Sequence, residues 1–190
     1  MDKKEVLILQ SAIHVFEKFG YSKAALEDIA AEAGISRSSI YLYFKNKREL
    51  YRRVLEYVST GLTDGLGEQL GNLPKGIDVR LHKILSWLYA HKTGENGHIK
   101  LFLSPGKAED IAGSIMAKMD DAIIEIFEKE LNEMVIDGIV KLPDPLTSGK
   151  VAEVLFSTAS GLAENSPSQP EYLLHLETFM VLIKRALQAG

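Results

Sequence analysis

Residues 24–51 read AALEDIAAEAGISRSSIYLYFKNKRELY, a short helix, a tight turn, a second short helix and the start of a third. Ala30 is small enough to let a following helix cross close by. Gly34, four residues later, is the residue that can leave a helix through the left-handed region. Ile35 follows as an apolar anchor under the turn. Ser36 is placed as an N-cap, its hydroxyl able to accept an orphan backbone N–H. Ile40 and Phe44 lie four apart on one face, which the spacing predicts to pack on Ile29 and Ala33. Arg37, Ser38, Ser39, Tyr41, Leu42 and Tyr43 then point elsewhere, with Lys45, Lys47 and Arg48 behind them. One buried face fixes a crossing, and a polar and aromatic face is left for a DNA groove. That is the requirement of a helix-turn-helix.

Working outward, Lys4 to Phe19 carries Val6, Leu9, Ile13 and Phe16 on one stripe, with Gly20 as its stop. Lys47 to about Gly71 reads as a long joining helix with Leu50, Val54, Val58 and Leu62 on one side. Gly61, Gly65, Gly67 and Gly71 weaken its second half. They mark a compliant element, a set of close-packing positions, or an early helix end. Helices are expected over Ile77–His91, His98–Leu103, Lys107 to about Val140, Thr147–Ala163 and Glu171–Gln188. Leu142-Pro143-Asp144-Pro145 is read as the break after the helix from Lys107. No alternating strand pattern and no repeat appears, so the fold class is all-α. The domain division expected is 1–46 for the helix-turn-helix and 47–190 for a helical body, with 47–71 joining them.

The DIAAEAGISRSSIYLYFKNKREL run resembles the DNA-binding signature of TetR-type transcriptional repressors. The spacing of its DIA, AGIS and IY-x-YFKNK pieces is intact. The resemblance implies three N-terminal helices for DNA, a fourth joining helix, and a divergent body that binds a small-molecule effector and forms a homodimer. It implies that Arg37, Ser38, Ser39, Tyr41, Leu42 and Tyr43 face a double-stranded operator and that Lys47 meets a phosphate. The family usually opens its second helix with Thr or Ser, which caps the helix and reaches a phosphate. This chain has Ala24 and Ala25 there, which leaves the contact at Ala25 open, with Ser22 as a displaced cap. A symmetric dimer must hold two recognition helices about 34–36 Å apart to enter successive major grooves.

Composition agrees with a DNA-binding head on a different kind of body. The 190 residues are 46% hydrophobic and 25% charged, with no Cys and a formal net charge of −4. That rules out disulfides, thiolate nucleophiles and cysteine metal sites. Residues 1–53 hold ten Lys/Arg against seven Asp/Glu, a net of +3, while the remainder carries −7. A basic head suits phosphate and an acidic body does not. No apolar run reaches transmembrane length, and Gln10, Ser11 and His14 interrupt the first helix, so no membrane partner and a cytoplasmic location are expected. The histidines, His14, His82, His91, His98 and His175, form no HExxH pair or other metal spacing, and no GxSxG elbow occurs. Neither a catalytic residue, a metal nor a cofactor is expected, and the chain is read as not an enzyme.

Two further surfaces are expected in the body. The last helix places Leu173, Leu176, Met180, Ile183 and Leu187 on a stripe wider than one neighbour can cover. Ser157, Ser160 and Gly161 keep the preceding helix slim, so these two helices are expected to form a four-helix dimer interface. The helix from Ile77 is apolar around much of its girth yet carries His82, Trp87, Tyr89 and His91. That pattern predicts an effector pocket for a flat or elongated hydrophobic ligand. Its candidate lining is Trp87, Tyr89, His91, Phe102, Met116, Met119, Phe127 and Phe156. The competing readings are a DNA-binding helical protein without small-molecule input, and a helical lipid-binding protein or enzyme.

Overall fold

The computed structural model describes residues 1–93, 100–103 and 105–188, and these fall into two compact units. Among the described residues every regular element is a helix, so the chain is all-α. The first unit holds residues 1–62 and 97–119, the second 63–96 and 120–190.

In the first unit, α1 spans Lys3–Lys23, α2 Leu26–Glu32 and α3 Arg37–Tyr41. Asp2 caps α1, its carboxylate accepting the N–H of Lys4 at 2.7 Å and of Glu5 at 2.9 Å. Ile8, Leu9, Ala12, Ile13, Val15 and Phe16 are buried at helical spacing on α1. Gly20 does interrupt the helix, at φ 73°, but helical hydrogen bonding resumes and carries α1 to Lys23. Gly34 ends α2 at φ 65°: its N–H bonds the Ala31 carbonyl, and the Ile35 N–H bonds that of Ala30. This six-to-one, five-to-two pattern is a Schellman C-cap, which favours Gly at the left-handed position. Ile29, Ile40 and Phe44 are buried where the sequence places them.

The joining helix α4 spans Lys47–Gly71 and passes from the first unit to the second after Leu62. Asn46 caps it through the Glu49 N–H at 2.8 Å. The helix does not end early, and a Cβ at Gly61, Gly65, Gly67 or Gly71 would meet no atom within 4 Å. Close packing among the described residues is therefore not what these glycines serve. The first unit also takes in α6 (Lys100–Leu103), a 3-10 turn at Gly106–Ala108 and the start of α7. Tyr51 on α4 is buried against Phe16 and Tyr21 at ring distances of 5.1 and 4.6 Å, and its hydroxyl donates to the Leu101 carbonyl at 2.6 Å.

In the second unit α5 (Ile77–Thr93) packs on α8 (Ser148–Asn165) and α9 (Gln169–Gln188). Leu81, Ile84, Leu85 and Leu88 are fully buried on α5, each worth roughly 1.5–3 kcal/mol of transfer free energy. Tyr172 stacks on Tyr89 at 4.5 Å and donates its hydroxyl to the Leu85 carbonyl at 2.7 Å. A buried ion pair that the sequence does not signal joins Arg80 to Glu130 on α7, each side chain 8% exposed. Arg80 also donates to the carbonyls of Leu73 and Pro74, so two further N–H groups are satisfied by the chain that follows α4.

Several boundaries differ from expectation. α7 spans Glu109–Ile136 and stops at Gly138, φ 70°, whose N–H bonds the Val135 carbonyl while the Ile139 N–H bonds that of Met134. The same Schellman cap as at Gly34 ends the helix before the proline-rich break is reached. On the inner side of α7, Phe127 is fully buried and Ile126 is only half-buried. Thr147 caps α8 rather than opening it, through the Lys150 N–H at 3.3 Å. The expected helix His98–Leu103 is described only over Lys100–Leu103, and His98 lies outside the described residues.

Candidate nucleic-acid interface

The recognition helix is short because its cap and its exit are both set by local bonds. The Ser36 hydroxyl accepts the Ser39 N–H at 3.2 Å and bonds the Ser38 and Ser39 hydroxyls at 2.8 Å. Leu42 is the C-cap rather than a helical residue, and the Tyr43 and Phe44 N–H groups both bond the Ile40 carbonyl. Burial of Ile40 and Phe44 turns the rest outward. Arg37, Ser38 and Tyr41 are exposed, Ser39 and Tyr43 half-buried, and Leu42 is 80% exposed. An apolar side chain left that open has nothing to gain from water, and a thymine methyl is a fitting partner.

The charged groups are partly engaged within the unit. Arg37 pairs with Glu27 and donates to the Tyr41 hydroxyl at 3.0 Å, and its pKa is raised chiefly by that bond to Tyr41. Tyr43 has its pKa raised by desolvation and by the neighbouring Asp2. The Lys47 ammonium donates to the carbonyls of Tyr21 at 2.8 Å and Ala24 at 2.9 Å, with Ser22 at 3.4 Å, and lies 4.7 Å from the centre of the Tyr21 ring. Desolvation lowers its pKa. Lys47 is thus bound to the end of α1 and the connector after it. Ala25 is the N-cap of α2 and offers no side-chain acceptor; Asp28 instead takes the Ala25 N–H at 3.0 Å. Ser22 does not cap α2, because it belongs to the last turn of α1. An open groove of about 470 Å³ also lies on this unit between α1 and α2, lined in part by His14, Lys18, Phe19, Asp28 and Glu32.

The other predicted residues divide between the units. Phe102 and Met119 are buried and Met116 half-buried in the first; Trp87, Tyr89, Phe127 and Phe156 are buried in the second. The His91 side chain lies outside the described residues. His82 is exposed, its ring 3.4 Å from the Ser86 hydroxyl, so it is not a core or pocket group.

Of the expected dimer residues, Ser157 is exposed, and Gly161, Leu173 and Ile183 are half-buried. Leu176 and Met180 are buried within their own unit, and Ser160 is buried with no hydrogen-bond partner for its hydroxyl among the described residues. The apolar side chains left open are instead Val154 on α8 and Leu174, Val181 and Leu182 on α9, between 54% and 63% exposed. The apolar stripe alone could not tell which of its edges the chain's own core consumes. The residues at 174, 181 and 182 were legible as apolar, but not as the outer edge.

A capped turn, a helix presenting its free face and a basic flank define a helix-turn-helix DNA-binding protein. Residues 8–54 match the model of the family described as Bacterial regulatory proteins, tetR family. The chain is 40% identical over 65 residues to the HTH-type transcriptional regulator YfiR of Bacillus subtilis, covering 34% of this chain and 30% of that one. It is 24% identical over 147 residues to YhgD of the same organism, covering 76% and 75%. The structure of the transcriptional regulator FadR from Bacillus subtilis in complex with stearoyl-CoA shares its fold, with a TM-score of 0.63 at 18% identity over 96% of this chain and 98% of that one. Residues 8–54 therefore carry the DNA-binding region of the tetR family.

Proposed function

We propose that this chain is a transcriptional repressor that binds a palindromic operator as a homodimer and is released by an elongated hydrophobic effector. The observation that carries the reading is the outward face of α3, where exposed Arg37, Ser38, Tyr41 and Leu42 surround a buried Ile40. Arg37, Ser38, Ser39, Tyr41, Leu42 and Tyr43 face the groove, with Ala25 abutting the backbone. Residues 1–46 act as the DNA-binding domain and 47–190 as the effector and dimerisation body. The dimer face is formed by α8 and α9, with Val154, Leu174, Val181 and Leu182 at its centre and Ser157, Gly161, Leu173 and Ile183 around them. That a FadR of the same fold was solved with stearoyl-CoA supports a long acyl chain as the effector class. The aromatic residues Trp87, Tyr89, Phe127 and Phe156 supply the apolar wall such a ligand needs.

The test is fluorescence anisotropy on a labelled duplex enriched from a randomised library by the wild-type protein. Leu42→Glu should lose binding at every salt concentration, because it puts a carboxylate against the groove. Long-chain acyl-CoA added to the wild-type complex should lower the anisotropy and raise the melting temperature of the free protein. Tight binding by Leu42→Glu would overturn the placement of α3, and indifference to acyl compounds would overturn the effector class.

A further inference from the structure

The basic residues of the DNA-binding unit are not equally available. Lys47 is bound to three carbonyls, Arg37 to Glu27, Arg48 to Asp110, and Arg53 to Glu5 and Glu56. For Lys47 to meet a phosphate it must give up those carbonyls and its place on the Tyr21 ring. Lys3 and Lys4, by contrast, are exposed and form no ion pair among the described residues.

Their position is fixed from two sides. Asp2 caps the first turn of α1 and faces the Tyr43 phenol at the exit of the recognition helix. Glu5, in the same turn, pairs with Arg53 of α4 at 3.1 Å. The two acidic groups that flank Lys3 and Lys4 in the sequence are therefore occupied, one by backbone N–H groups and Tyr43, the other by an arginine. What this turn leaves uncompensated is two ammonium groups beside the face that meets DNA.

We propose that Lys3 and Lys4 supply the backbone phosphate contacts at the exit of the recognition helix, and that Lys47 serves as a latch on the α1–α2 connector instead. A lysine binds phosphate as a point charge and needs no fixed fork geometry, which suits two exposed side chains on a first helical turn. The assignment rests on the DNA-binding reading above, and the occupant is the duplex backbone, continuous with the groove contacts of α3. Because these contacts are to phosphate, they add affinity without sequence preference.

The experiment measures the salt dependence of binding to the enriched duplex and to a scrambled duplex. It compares the wild-type protein, Lys3→Ala/Lys4→Ala, Lys3→Gln/Lys4→Gln and Lys47→Met. Removing one lysine–phosphate interaction should reduce the slope of log K against log salt by about 0.9. Both double variants should show one to two such decrements on both duplexes while keeping the wild-type melting temperature. Lys47→Met should keep the slope and melt lower. If the double variants keep the wild-type slope, or if Lys47→Met alone reduces it, the assignment is overturned. If the wild-type protein binds no duplex at low salt, the DNA-binding reading fails and the assignment with it.

Discussion

Gly34, Tyr51 and Lys47 show how much of the DNA-binding unit depends on single residues. Gly34 sits at φ 65° with open space where a Cβ would stand, so its requirement is conformational and not steric. Gly34→Ala should cost about 1–2 kcal/mol in urea unfolding, the penalty for an L side chain in the left-handed region. Tyr51 has its pKa raised to about 12, mainly by desolvation, above the ordinary 10.0. A raised pKa favours the neutral phenol in the folded state. Its stabilisation is thus complete below pH 10 and is lost as pH rises through about 12. Tyr172 shifts in the same direction in the other unit. Tyr51→Phe should lower stability at neutral pH by about 1 kcal/mol, because the bond to Leu101 is gone, and should lessen the alkaline loss seen in the wild type. An unchanged alkaline profile in the variant would show that Tyr51 is not the group titrating. Gly34 was legible in the sequence because a turn signature is local. The Lys47 latch was not, because its carbonyl partners lie more than twenty residues away and carry no side-chain signal.

Among the elements, α4 and α7 contrast most. Both are long, and both pass from one compact unit to the other. Glycines line the second half of α4 with nothing beside them, whereas α7 buries an almost unbroken row from Ile111 to Leu131. Gly61→Ala and Gly67→Ala should each stabilise the protein by up to about 1 kcal/mol, since Ala has the higher helix propensity and no neighbour is displaced. Urea unfolding checks this; a loss of stability at either site would mean that the position is packed against something in the assembled protein. Helix positions were readable from periodicity along the described residues, while their ends were less so. α7 closes at Gly138 because a Schellman cap competes successfully with helix continuation, and the prolines further on were the louder but later signal. The Arg80–Glu130 pair escaped the sequence reading for a similar reason. A lone arginine on an apolar helix declares its burial only when its partner on another helix is known.

At the scale of the whole molecule, the helix-turn-helix and the all-α class were legible, because the motif is contiguous with fixed spacing and no alternating strand pattern interrupts the helical periodicity. The burial of individual residues on α8 and α9 was not, since it is decided by helices far apart in sequence. Leu176 and Leu182 mark two faces of α9: the first is fully buried in its own unit and the second is 63% exposed. Leu182→Arg should give a folded monomer with wild-type helicity and no operator binding, read by light scattering and circular dichroism. Leu176→Glu should instead unfold the protein, because an unpaired carboxylate would be buried in a packed core. A dimeric Leu182→Arg protein would remove α9 from the interface. The most direct measurement is enrichment of duplexes from a randomised library by the wild-type protein, followed by sequencing. The expected result is an inverted repeat whose half-sites lie one helical turn of DNA, or a multiple of it, apart, and whose enrichment disappears in Leu42→Glu. Recovery of no common sequence, or of the same sequence by Leu42→Glu, would contradict it.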